Sequence, residues 1–396
     1  MTPPETDDRK SLRTLVHAVF FISGITTVLI GQVLPILAER FSLNDLEAAY
    51  FFPAQFAGSL LGTLITTCFG RRQKFDTATL IGAVSMAVGV LVMNSGSLGL
   101  CLTGFVINGI GIGLTLPSIN MLILELNPLR TAAALSILNF CWGAGAIICK
   151  PFVDYTGRGG IAAPTIILAG VLMVCSVLMI KLPSRSNNQT DSGPDTGQSK
   201  TADVPVWSTP LAWILALFNF VHVGFESGMG GWLTTYTGRI EGVIATDLFS
   251  PTFLYFLFFV IGRATAPLFF RFVNENVMLL ISLGLILVGM AATLAARDLG
   301  LLSVGACISG FGTSSIFPTT VSRFGRIFGP SAPRKATPLF ICGTLGAATV
   351  NWLIGFLSNQ MSDLRSGMFV LAASVLILIA VQVGLMIKIA RRPISA

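Results

Sequence analysis

The sequence predicts an all-α polytopic membrane protein whose twelve transmembrane helices form two six-helix bundles. Three observations lead there. Hydrophobic residues fill 53% of the 396 positions and charged residues only 11%, whereas a soluble domain carries about 25% charged residues. Apolar runs of roughly 20 residues recur along the chain, each long enough to cross a ~30 Å hydrocarbon core as a helix. One polar stretch divides these runs into six and six.

Residues 1–13 (MTPPETDDRKSLR) form a polar tail expected in the cytoplasm. The first apolar run, 14–38, is too long for a cleaved signal peptide and lacks a small-residue cleavage site after a short core. Spans two to six are predicted at 47–69, 76–95, 98–124, 131–154 and 162–182, which completes an N-terminal bundle over 14–182. The segment 183–208 opens with PSRSNNQTDSGPDTGQSKTADVP, almost free of apolar side chains. Such a stretch cannot bury enough surface to fold, so a flexible cytoplasmic linker is expected. Spans seven to twelve follow at 209–236, 249–271, 276–296, 299–322, 336–358 and 367–390, forming a C-terminal bundle over 209–390 with a short cytoplasmic tail, 391–396.

Orientation follows from the basic residues. With the N-terminus inside, 18 Lys and Arg fall in inside segments and 5 in outside loops, so both termini are expected in the cytoplasm of a cell whose inner membrane holds the chain. The net charge of +7 is then topology, not a nucleic-acid footprint. The seven cysteines lie in or at the ends of spans with no CxxC pair, which suggests apolar fillers and neither a metal site nor a disulfide framework. No GxxxxGK[ST] sequence occurs, so nothing supports ATP-driven transport, and no cofactor is implied.

The halves echo each other. GIGIGLTLPSIN (109–120) in span four parallels GFGTSSIFPTTV (310–321) in span ten, with Gly109, Gly111 and Pro117 against Gly310, Gly312 and Pro318. LSILNFCWGAGA in span five parallels LFICGTLGAATV in span eleven, and GSLLGTLITTCFGRR (58–72) parallels GRATAPLFFRFVNEN (262–276), a register that sets Arg263 against Ser59. Repeats across two halves mark secondary transporters, whose substrate sites lie near the midplane between the repeats.

The 6+6 layout, the GRR cluster after span two and the proline-bearing spans four and ten resemble the major facilitator superfamily. Within it, GFESGMGGWLTTY, IGRATAPLFFR and SSIFPTTVSRFG resemble the fucose–galactose–proton symporter branch and the sodium-dependent glucose transporter-like proteins. The resemblance implies a central cavity lined by spans one, four, seven and ten. It also implies a gating role for the basic loop that holds Arg71 and Arg72, although the acidic residue that usually precedes GRR is missing. Fucose-symporter-like members carry a carboxylate in the first and the fourth helix. Here span one has none, and span four has none before Glu125.

Glu226 is the one acidic residue in the middle of a span. A charge there costs roughly 2.5–3.5 kcal/mol or more on insertion scales, so it is a functional candidate by default. Asn219, His222, Glu226 and Met229 share one helical face, while Gly224, Gly228 and Gly231 share another, suited to close helix packing. Two cations within spans are candidate partners for Glu226: Arg263 near the middle of span eight, and Lys150 in the CKP of span five, toward the outer surface, which could instead snorkel to the outer interface. Gln55, Asn108, Asn139, Trp142, Asn351 and Trp352 offer the amides and indoles that a sugar's hydroxyls and C–H faces suit, or serve as interhelical glue. Trp232 is a candidate interfacial anchor.

The expected function is secondary transport by alternating access of a small polar solute, a monosaccharide foremost, by proton or sodium symport, with the chain working as a monomer in the bilayer. The alternatives are an organic-anion transporter using Arg263 and Lys150, a drug or lipid exporter, and a membrane scaffold or sensor without flux. An enzyme is not expected, because no nucleophile–base pair appears and the polar segments are short.

Overall fold

The computed structural model describes residues 7–70, 74–126, 131–181, 206–241, 249–269, 272–328 and 335–390. Among these residues there is no strand, and twelve helices are long and apolar enough to cross a membrane. Spans one to six are Ser11–Phe41, Asp45–Phe69, Phe75–Val92, Leu98–Leu124, Ala134–Gly159 and Ala162–Lys181. Spans seven to twelve are Pro210–Ile240, Pro251–Phe269, Glu275–Ala295, Leu299–Phe328, Thr337–Met361 and Leu364–Ile387. The protein is an integral membrane protein of two six-helix bundles. Three of the described helices start where short polar side chains satisfy the free N–H groups of the first turn. Asn274 accepts from Val277 N ahead of span nine, Asp298 accepts from Leu301 N ahead of span ten, and Asn44 and Glu47 form a capping box ahead of span two.

Packing repeats between the halves with a consistent register. In each pair below, a methyl group added to the glycine would run into the named backbone group of the neighbouring helix. Gly109 lies on the Gln55 carbonyl and Gly310 on the Tyr255 carbonyl; Gly111 faces Gly82 O and Gly312 faces Ser282 O. Gly145 lies on Phe21 O and Gly346 on Phe220 O. Spans two and four therefore meet as eight and ten do, three and four as nine and ten, and one and five as seven and eleven. The register sets Arg263 opposite Thr63, one helical turn beyond the Ser59 suggested by the aligned sequences. Matching GS to GR kept the glycines in line, but the helices pack through a different pair of glycines.

Span ten departs from a single helix. It runs Leu299–Thr313, turns at Ser314 and Ser315, and resumes as Ile316–Phe328. Pro318 has no N–H, so the Ser314 carbonyl four residues back loses its helical donor. Span four carries the matching Pro117 yet continues unbroken as Leu98–Leu126.

The residues expected as linker end earlier than composition suggested. Val206–Ser208 form a 3-10 turn, with Val206 buried. Trp207 donates to Lys335 O at 2.8 Å and packs its ring on Phe324 and Trp213. A few apolar side chains at the end of a polar segment are enough to dock it. Residues 183–205 lie outside the described residues.

Among the described residues, the halves meet through span one on span seven, span two and its capped first turn on span eleven, and span five on span eight. These contacts include Gly31 against Gly230 and Gly231, Phe52 stacked on Trp232 at 5.7 Å, and Gly143 against Val260. Across the end of the bundle away from the termini, Arg239 binds both Asp45 oxygens (Nη1 to Oδ2 at 2.7 Å), and Ser358 donates to the same carboxylate. Bidentate geometry orients this pair, but Arg239 is 45% exposed, so solvent screening leaves it worth about 1 kcal/mol. Asp45→Ala is expected to raise the open population of this end roughly fivefold. Acrylamide quenching of Trp232, taken as the difference from Trp232→Phe, measures it, and unchanged quenching means the latch does not hold this end shut.

Candidate functional site

Span seven places His222 and Glu226 one turn apart, with His222 Nε2 3.4 Å from Glu226 Oε2. The imidazole is fully buried, while the carboxylate keeps 23% of its surface exposed. Span eight carries Arg263, which does not form an ion pair with Glu226. The guanidinium is held elsewhere: its Nε donates to Ser314 O at 3.3 Å, and its plane lies 4.3 Å over the Phe259 ring. Beside Glu226, Ser227 accepts from Asn351 Nδ2 at 2.7 Å, which ties span seven to span eleven. Trp352 stacks on Phe356 next to that amide.

The glycine face of span seven is packed. Gly224 meets Val350 and Gly346, Gly228 meets Leu371 and Ile354, and Gly231 meets Phe52 and Asn351. Gly224 and Gly228 thus give span seven its close contact with span eleven and leave the opposite face to Glu226. Such an arrangement can hold one carboxylate in a partly wet site beside an imidazole. A proton, a cation or a hydroxyl-bearing solute could each answer that carboxylate.

Several other candidates are spent on interhelical bonds. Asn219 donates to Leu339 O at 2.9 Å, tying span seven to span eleven. Gln55 donates to Thr27 O at 3.1 Å, and Asn108 donates to Thr26 O and Gln55 Oε1, both at 3.4 Å, which joins spans one, two and four. Asn139 is exposed and bonds its own helix at Leu135 O. Trp142 is half-buried on span five with its indole N–H unpartnered. Trp232 is fully buried between the halves and does not sit at an interface with headgroups.

Lys150 does not meet Glu226. It is buried and paired with Asp154, one turn further along span five. The i, i+4 spacing made that partner available locally, and a lysine stem cannot reach across to span seven. Asp154 lines a cavity of about 820 Å³ within the N-terminal half, together with Glu39, Arg40, Asn94 and Arg158. That cavity lies apart from Glu226 and Arg263. Arg71 and Arg72 lie outside the described residues.

Sequence reading passed over several groups that matter in three dimensions. Tyr255 is fully buried on span eight, with its ring against Phe256 and Phe259. Gln32 accepts from Thr234 at 2.7 Å across the two halves, and Thr234 shares a bond with Thr252 at 2.9 Å. Asp45 and Arg239 looked like ordinary loop charges. A single polar residue in an apolar run, such as Gln32, was the one signal available.

A family model described as the Major Facilitator Superfamily matches residues 16–298. A curated relative, the glucose/mannose transporter GlcP of Bacillus subtilis (strain 168), is 24% identical over 383 residues, 93% of each chain. Among solved structures, the nucleoside transporter NupG superposes with a TM-score of 0.73 at 12% identity, covering 96% of this chain and 99% of that one. FucP in its outward conformation superposes with a TM-score of 0.61 at 17% identity, covering 95% and 99%. Identities this low speak for the fold alone.

Proposed function

The chain belongs to the major facilitator superfamily, and on that premise we propose that it carries a monosaccharide across the cytoplasmic membrane by alternating access, driven by symport of a proton or sodium ion. The observation that carries this reading is Glu226: a part-exposed carboxylate at mid-span with the His222 imidazole 3.4 Å away. Asn351, bonded to the neighbouring Ser227, and Trp352 on span eleven carry an amide and an indole of the kind that suits a hydroxylated ring. A relative named as a glucose/mannose transporter supports the substrate class.

An organic-anion reading loses its motive. It rested on two mid-span cations against one anion, and Lys150 is neutralised by Asp154. Arg263 and Glu226 remain as one positive and one negative charge, a balance that favours a neutral cargo. With positive-inside orientation the latched end is the outer one.

The test is uptake of labelled glucose and mannose into proteoliposomes under an imposed proton or sodium gradient. A thermal-shift screen of sugars and organic anions on the purified protein runs beside it. Gradient-dependent hexose accumulation is expected. Stabilisation by anions with none by sugars overturns the substrate class.

A further inference from the structure

We infer that the cavity at the outer end of the N-terminal half is a second solute site, built for a neutral, hydroxyl-rich molecule such as a hexose, and that its occupancy loosens the contact between the halves. It rests on the proposed function only in taking hexose as the solute. The cavity holds about 820 Å³, within the roughly 300–1,000 Å³ of small-molecule sites. Its mouth carries Glu39, Arg40 and Arg158, all exposed, just before the chain reaches Asp45 of the outer latch. Its floor is Gln32, seven residues back along span one, or about 10 Å deeper.

The buried part of the wall offers acceptors. Asp154 keeps 11% of its side chain exposed and is fixed by Lys150 one turn before it. Asn94 is oriented by Thr165, whose hydroxyl gives its one proton to Ile161 O at 2.7 Å and so accepts from Asn94 Nδ2. That leaves Asn94 Oδ1 buried with no donor among the described residues, and an unsatisfied buried acceptor is costly. Gln32 Oε1 accepts from Thr234 at 2.7 Å and keeps a second lone pair. Hydroxyls answer acceptors of this kind, while Ile36 and Val153 give an apolar wall for C–H faces. An anion brings no donors and meets the Asp154 carboxylate. A cation meets the guanidinia at the mouth and then a carboxylate that Lys150 already holds.

Gln32 belongs both to this cavity and to the contact between the halves. Its partner Thr234 lies on span seven and shares a bond with Thr252 of span eight at 2.9 Å. A solute hydroxyl that donates to Gln32 competes with Thr234, so binding from outside weakens a bond that closes this end. By reciprocity, an end freed of that bond holds the solute more tightly.

The test is modification of the full chain in nanodiscs by a bulky maleimide, read as the excess over wild type and its own cysteines. Gly159→Cys puts a thiol on the cavity rim and Gly96→Cys puts one in the neighbouring outer loop, both where a side chain meets open space. Glucose or mannose should slow modification of Gly159→Cys several-fold and leave Gly96→Cys unchanged. Ile36→Trp, which fills the cavity, should abolish that protection. Thr234→Val, which removes the competitor for Gln32, should lower the half-protecting hexose concentration roughly fivefold, the worth of about one hydrogen bond. Protection by inorganic phosphate in place of hexose overturns the solute class. Equal protection of both thiols, or of neither, overturns the site, and an unchanged half-protecting concentration in Thr234→Val overturns the link through Gln32. If Ile36→Trp does not fold, the other comparisons still decide. Hexose accumulation in proteoliposomes without protection removes this site and leaves the proposed function; protection without accumulation does the reverse.

Discussion

Glu226→Gln is expected to reduce gradient-driven hexose accumulation to the equilibrium ratio while hexose binding and exchange persist. The amide keeps nearly the same shape beside His222, but it cannot take up a proton or balance a cation. Coupling requires a group whose charge changes within the cycle, and Glu226 is a part-exposed carboxylate at mid-span with an imidazole 3.4 Å away. Binding through amides and indoles does not need that charge. Counterflow in preloaded proteoliposomes should therefore continue, while uptake against a gradient stops. If the variant concentrates hexose as well as wild type, the coupling residue lies elsewhere. If it fails to fold, the carboxylate is a structural partner of His222.

Gly346→Val is expected to remove folded protein from detergent extracts altogether, and Gly346→Ala to lower the thermal midpoint by several degrees. The glycine sits on the Phe220 carbonyl, so any side chain must push spans seven and eleven apart. Overpacking of this kind costs about 1–3 kcal/mol even where neighbours can yield, and a backbone carbonyl yields less than a side chain. Separating the two helices also strains the Asn219–Leu339 and Asn351–Ser227 bonds that hold them in register. Gly284, on span nine, has open space within 4 Å of where a methyl group would sit and serves as the control. Thermal unfolding of Gly284→Ala should match wild type within error. Equal melting of Gly346→Ala and wild type would mean that the contact between spans seven and eleven is looser than described.

The site was legible only in part. Glu226, His222 and Arg263 were visible as the rare ionisable residues of apolar runs; the structure sets His222 beside Glu226, while Arg263 binds Ser314 O of span ten. Lys150 carried the same signal and belongs to a different pair, because its local partner Asp154 was counted as a span-end charge. Tyr255 gave no signal, since a tyrosine in a membrane helix is ordinary until its neighbours are known. Asp45 and Arg239 are 194 residues apart, and nothing in either loop announces the other.

What the sequence by itself determined is the number, order and type of the spans and their division into two repeated halves. Hydrocarbon leaves backbone groups no partner except their own helix, so apolar length decides each element almost without reference to the rest of the chain. What only the tertiary structure decided is which polar side chains meet. That depends on the register in which helices pack, and glycine-rich helices admit registers that differ by a whole turn. The sequences aligned Arg263 with Ser59, whereas the packed helices put it opposite Thr63, at the carbonyl that a proline four residues further along had left without a donor.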